Sequence, residues 1–187
     1  MSKRLECYVS VDIEASGPVP GLYSMLSIGA CHVGDPTKTF YRELCPLNDN
    51  FIAEALKVSG FSLTELQHQG VAPTQAMHSF EQWLTSLTPN NERLVFVGLN
   101  ATFDWSFINY YFWAFLGRNP FGISGLDIKA YYRGATGCNW AETTSRHMDQ
   151  QLHPQQTKSH HALEDALYQA ELFREIRQQL LNSSQKK

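Results

Sequence analysis

Cys7-Tyr8-Val9-Ser10-Val11-Asp12-Ile13-Glu14 is the stretch on which the fold turns. Its residues alternate, so Cys7, Val9, Val11 and Ile13 share one face of a strand and Tyr8, Ser10, Asp12 and Glu14 the other. One face is core material; the opposite face ends in two carboxylates two residues apart. Neighbouring carboxylates repel, and a strand gains nothing from them unless a cation lies between. An edge strand could leave such acids in water. Val9 to Ile13 is instead the most core-like run in the chain, and so reads as a central strand with acids at its exit.

Working outward, residues 5–14, 24–33 and 38–45 read as three strands in succession. Gly17-Pro18-Val19-Pro20-Gly21 and Gly34-Asp35-Pro36 turn the chain between them. Residues 51–70 predict two short helices around Ser59-Gly60. A longer amphipathic helix after Pro73 carries Met77, Phe80, Trp83, Leu84 and Leu87 on its apolar side. Leu94–Gly98 predicts a fourth strand and Phe103–Leu116 a helix. Phe121–Leu126 predicts a last strand, with Asp127 capping a short helix through Tyr132. Residues 134–158 show no period and read as a loop. A final helix is expected from His161 to Leu181, and 182–187 read as a frayed tail. Hairpin-like strands followed by alternating strand and helix predict an α/β fold, a mixed sheet covered by helices.

The 187 residues suit one domain spanning 1–187, and 43% hydrophobic and 12% aromatic residues exclude a disordered chain. A net charge of -3 argues against coating long duplexes by positive charge, though gripping a chain end needs few phosphate contacts. The most apolar window, Ile108–Leu116, is far shorter than the roughly 20 residues of a membrane span, and no signal-type stretch follows the N-terminus. Cys7, Cys31, Cys45 and Cys138 stand singly, without a C-x-x-C pair, and read as buried free thiols. A cytoplasmic protein is expected, with no membrane partner.

Two further acids behave like those of the first strand. Asp104 shares a helical row with Ile108, Tyr111 and Phe115, and Asp165 lines up with Leu172 and Ile176. Each opens a helix, where the macrodipole favours an acid. That explains the position along the helix but not the inward face. Glu164 lies off both apolar faces and is a poorer candidate. Asp12, Glu14, Asp104 and Asp165 therefore predict a cluster of carboxylates suited to hard cations such as Mg²⁺ or Mn²⁺. Two such ions roughly 3.5–4 Å apart can clamp a phosphoryl displacement by water. A base is then needed, and His160 and His161 stand just before Asp165. In a regular helix His160 would splay about 140° from Asp165, so it is useful only from a loop. The residues alone leave the two histidines equal.

Val11-Asp12-Ile13-Glu14, Asn100-Ala101-Thr102-Phe103-Asp104 and His160-His161-Ala162-Leu163-Glu164-Asp165 together resemble the three motifs of the DEDDh 3′–5′ exonucleases. That group includes ribonuclease T, oligoribonuclease and polymerase proofreading subunits. Each motif is weak alone; three in order over residues 9–173 are specific. The resemblance implies a ribonuclease-H-like fold with a five-stranded mixed sheet. It implies two Mg²⁺ or Mn²⁺ ions on Asp12, Glu14, Asp104 and Asp165, and His160 rather than His161 as general base. The implied reaction is hydrolysis of the terminal phosphodiester at a single-stranded 3′ end, releasing nucleoside 5′-monophosphates. Ala15, Met25, Leu26, Asn100 and Phe103 fall where the terminal nucleotide would lie, with core packing an equal reading for Leu26. The resemblance to ribonuclease T and oligoribonuclease points to a homodimer, although the sequence holds no interface signature, and nothing in it supports a polymerase partner.

Two positions depart from the pattern. Ala15 then Ser16 stand where many members have Thr, and Leu99 stands where many have His. Neither is a metal-ligand position; the first bears on how the sugar is held. Arg133, Arg146 and Lys158 are candidate phosphate contacts near the site. Two other functions use the same fold: a non-catalytic binding or scaffolding protein, and a phosphoesterase acting on small nucleotides.

Overall fold

The first strand lies at the centre of the sheet. In the computed structural model, which describes residues 5–184, five strands are ordered β3-β2-β1-β4-β5. They are β1 (Glu6–Ala15), β2 (Met25–His32), β3 (Asp35–Glu43), β4 (Arg93–Gly98) and β5 (Gly125–Asp127). β1 pairs antiparallel with β2 and parallel with β4. β2 runs antiparallel to β3, and β4 parallel to β5. The sheet is mixed, as the motif order implied.

Helices cover both faces, which is why β1 is buried on both. Val9, Val11 and Ile13 join a core with Met77, Phe80 and Leu84 of α3 (Pro73–Ser86) and with Phe107, Ile108 and Tyr111 of α4 (Thr102–Leu116). On the other face Tyr8 packs on Phe173 of α7 (Ala162–Ser184), their ring centroids 5.4 Å apart. Tyr168, Leu172 and Ile176 of α7 form a second core with Ile128 and Tyr132 of α5 (Ile128–Thr136). Before them come two short helices, α1 (Ala53–Ser59) and α2 (Leu63–Gln69), divided by Gly60 in the left-handed conformation.

Three expectations need correction. The last strand is only Gly125–Asp127, because Gly122 turns at φ 82° and β5 makes just three pairs with β4. Asp127 does cap the following helix, accepting from the Ala130 amide, but that helix runs on to Thr136. The segment 134–158 is not all loop. It contains a 3₁₀ turn (Trp140–Glu142) and α6 (Ser145–Leu152), which buries Met148 and Leu152 one turn apart behind the cap Thr144. Asn182–Ser184 continue α7, and the rest of the expected frayed tail, 185–187, lies outside the described residues. All four cysteines are free; Cys7 and Cys31 are buried, Cys45 and Cys138 only partly.

One glycine sets the height of α7 over the sheet. Gly29 pairs with Asp12 across β1 and β2, and a Cβ there would lie 2.1 Å from the Ala162 carbonyl carbon and 2.2 Å from the Leu163 nitrogen. The start of α7 rests directly on β2 because this position has no side chain. That contact brings the first turn of α7 down beside Asp12.

Candidate active site

The acids gather where β1 leaves the sheet. β1–β4 pairing ends at Ser10–Val97, and beyond it the strands part to leave a cleft open to helix starts on either side. A pocket of about 190 Å³ fills the cleft, lined by Asp12, Ile13, Glu14, Leu99, Asn100, Phe103, Asp104, Lys158, His160 and Asp165. Asp104 enters from the first turn of α4 and Asp165 from the first turn of α7. Asp12, Asp104 and Asp165 retain only 9%, 4% and 1% of their surface. The inward faces read from the helical rows are those observed, and Glu164 is exposed.

Each buried aspartate is oriented by an N–H donor. The Ile13 amide donates to Asp104 Oδ1 (3.1 Å). The Ser159 and His160 amides donate to the two oxygens of Asp165 (2.7 and 3.2 Å). Gln169 Nε2 donates to Asp12 Oδ1. Carboxylates held this way keep lone pairs for a cation.

The electrostatics show a shortage of positive charge. Burial, then the Asp104, Asp165 and Glu14 charges, push Asp12 well above the usual carboxylate range, against the pull of Lys158. Burial and the Asp165 charge raise Glu14 to about 7. Burial raises Asp104 as well, opposed by the Ile13 N–H and by Lys158. Among the described residues Lys158 is the sole basic side chain other than histidine lining the pocket. A divalent cation would supply the missing charge, and the four carboxylates would suit a hard one. Ligand atoms of Glu14, His160 and Asp165 already lie within 4.8 Å of one another. The residues present fit a metal.

The two histidines, equal in the sequence, part company in space. His160 precedes α7 in the left-handed conformation (φ 61°), is exposed and lines the pocket. His161 turns the other way and stacks on Tyr41 of β3, centroids 4.6 Å apart and planes 22° apart. Of the nucleotide-contact candidates, Asn100 (φ 65°) and Phe103 line the pocket. Ala15, Met25 and Leu26 do not: Ala15 is 7% exposed, and Met25 and Leu26 have no exposed surface. Met25 is locked into the core, its amide donating to the Tyr111 hydroxyl (2.8 Å), and Leu26 is the extra residue of a bulge opposite Glu14–Ala15. Ser16, beside Ala15, is buried; its hydroxyl accepts from the Ser24 amide and donates to the Asn50 carbonyl. Of the three candidate phosphate contacts Lys158 lines the pocket, whereas Arg133 and Arg146 are exposed and outside its lining.

With this geometry in place, the comparisons with known proteins decide the family. The domain model described as "3'-5' exoribonuclease Rv2179c-like domain" matches residues 7–177. The chain belongs to that family. It is also 51% identical, over 91% of both chains, to the 3'-5' DNA exonuclease Cap18 of Escherichia coli. Among solved structures, the nuclease domain of 3'hExo, a DEDDh family member bound to rAMP, superposes with a TM-score of 0.71 at 15% identity. It covers 95% of this chain and 94% of that one. A zinc-bound E. coli exonuclease I–single-stranded DNA complex gives a TM-score of 0.68 at 16% identity, covering 96% of this chain and 43% of that one. This Rv2179c-like protein is thus a 3′–5′ exonuclease with the ribonuclease-H-like DEDDh fold.

Gln169 was not singled out from the sequence, although it lines up with the acids in space. The signal available was its place four residues after Asp165, on the same face of the helix, inside an otherwise apolar row.

Proposed function

We propose that the protein removes nucleoside 5′-monophosphates one at a time from single-stranded 3′ ends, with His160 as general base. The observation that carries this reading is the pocket itself. Four carboxylates from three separate segments, an exposed histidine and one lysine line about 190 Å³ of mostly polar space. Held by Asp12, Glu14, Asp104 and Asp165, two Mg²⁺ or Mn²⁺ ions would neutralise charge developing on the phosphate and lower the pKa of the attacking water.

The chain's own groups do the rest. A ring nitrogen of His160 takes the proton as the water oxygen bonds to phosphorus; its exposure lets that proton pass on to solvent. The bond from phosphorus to the 3′ oxygen breaks, and that oxygen leaves with a solvent proton. Lys158 meets a phosphate oxygen at the pocket mouth. Phe103 offers a ring face to a terminal base, and Asn100 presents its amide from a left-handed turn. Each fits a chain end better than a continuous duplex, because the cleft is small and, among the described residues, has one lysine.

DNA is the favoured strand. Support comes from 51% identity to a DNA exonuclease, set against a family description that names an exoribonuclease. Among the described residues no helix is long and apolar enough to cross a membrane. Matched 5′-labelled DNA and RNA oligomers, incubated with Mn²⁺, Mg²⁺ or EDTA, test the whole reading. A metal-dependent ladder shortening from the 3′ end, faster on DNA and stopped by a 3′ block, is expected. Cleavage of small nucleotides alone, or none with metal bound, would instead favour the phosphoesterase or the binding protein.

A further inference from the structure

Past Ser10 and Val97 the main-chain ladder between β1 and β4 has ended, yet the two strands are still tied together by a side chain from a third element. Gln169 of α7, 3% exposed, reaches between them. Its Nε2 donates to Asp12 Oδ1 on β1, and its Oε1 accepts the Leu99 amide (2.9 Å) at the end of β4. Both ends of the amide are satisfied, and both partners line the pocket. We infer that Gln169 is a positioning residue of the exonuclease site: it fixes the Asp12 carboxylate and the β4 exit in one geometry for cation binding. The inference rests on the metal reading proposed above.

The chemistry of the side chain fits the task. With Oδ1 engaged by an amide, Asp12 is held in one rotamer and its other oxygen is left for a cation. A lysine in the same place would compete with a cation for Asp12, and a glutamate would add a fifth carboxylate. A neutral amide does neither, and it can donate to Asp12 from one atom while accepting from Leu99 at another. The same bridge sets the start of the Asn100 turn, since Leu99 is the residue before it and Asn100 is left-handed. Asp165 stands four residues earlier on the same helix, so one helix face controls the spacing of two acids.

The test is Gln169→Met, which keeps length and volume and removes both polar contacts. Mn²⁺ binding is measured without nucleic acid, by the electron paramagnetic resonance signal of free Mn²⁺ and by melting temperature against Mn²⁺ concentration. Hydrolysis of a 3′-recessible oligomer is followed in parallel. Loss of a partner that orients a metal ligand typically weakens metal affinity about 10–100-fold, and that rise in Mn²⁺ Kd is the expected result. The Mn²⁺ concentration for half-maximal hydrolysis should rise with it. A merely structural role would lower the melting temperature in EDTA and leave both Mn²⁺ values unchanged; that outcome overturns the inference. Should Gln169→Met fail to fold, Gln169→Asn is one methylene too short to span both partners and is held to the same expectation. Wild-type protein measured alongside separates the two possible failures. No Mn²⁺ binding by the wild type overturns the metal reading, whereas equal binding by wild type and variant overturns the role of Gln169 alone.

Discussion

Stripped of metal, the protein should become less stable as pH rises from about 5 to 8, the reverse of ordinary acid denaturation. Glu14 titrates at 4.5 when unfolded and at about 7 in the folded chain, raised by burial and by Asp165. Between those values the folded chain holds a proton that the unfolded chain has released, so stability falls with increasing pH. The slope is at most about 1.4 kcal/mol per pH unit for each such group. For Glu14 the full shift corresponds to about 3 kcal/mol, and to roughly 2 kcal/mol once its contact with water is allowed for. Asp104 and Asp12, both raised chiefly by burial, act in the same direction. For a chain of this length each kcal/mol is worth about 2–4 °C in Tm.

Thermal melts in EDTA at pH 5.5, 6.5, 7.5 and 8 measure this directly. Wild-type Tm should fall across the series, and Glu14→Gln, which cannot ionise, should show a shallower fall and a higher Tm at pH 8. Saturating Mn²⁺ should cancel the decline, because a cation binds the ionised carboxylates most strongly where the bare protein is weakest, adding about 2.7 kcal/mol at a hundred times Kd. A Tm that is flat or rises with pH in EDTA would refute the reasoning. So would an identical slope in Glu14→Gln.

Other expectations are simpler to read. Asp104→Asn keeps the acceptor for the Ile13 amide but loses the charge, and should fold normally while hydrolysis falls below detection. His160→Ala should lower kcat by about 10²–10⁴ with Mn²⁺ binding still measurable, whereas His161→Ala, which loses only a stack on Tyr41, should lower stability more than turnover. Gly29→Ala should lift the start of α7 from β2 and reduce kcat and Mn²⁺ affinity together; wild-type behaviour would mean that the backbone contact near 2.1 Å relaxes freely. Lys158→Ala should raise KM for oligomers more than it lowers kcat, as loss of a phosphate contact requires.

What the sequence revealed, it revealed through local conflict. Asp104 and Asp165 each stand on a row otherwise given to apolar residues, and Asp12 and Glu14 sit two residues apart at the exit of a core-like strand; an inward acid is costly enough to announce a purpose. The central place of β1 was legible from the core-like alternation of Val9, Val11 and Ile13 ahead of those acids. Where residues were merely apolar, no such conflict existed. Met25 and Leu26 look alike whether they face a base or the core, and the structure puts both wholly inside. Helix α6 was hidden because only Met148 and Leu152 of its eight residues are apolar and suffice to dock it, below the threshold at which a period shows.

The histidines and Gln169 mark a deeper limit. His160 and His161 are the same residue type one position apart, and what separates them is a left-handed φ at His160 that the Asp165 carboxylate supports by accepting two amides of its loop. Asp165 therefore has a second task besides charge: it holds the loop that carries His160. Replacing it by alanine removes the carboxylate charge and frees His160 at once, while Asp165→Asn retains an oxygen for one of the two amides. If loop placement matters as well as charge, Asp165→Ala should show the larger loss of His160-dependent pH response in the residual rate, and equal profiles for the two variants would leave charge as its entire contribution. Gln169 repeats the lesson at longer range, since its two partners lie 157 and 70 residues away along the chain. Only the fold, by letting strands part at the end of their ladder, turns a buried amide four residues after an acid into the link between them.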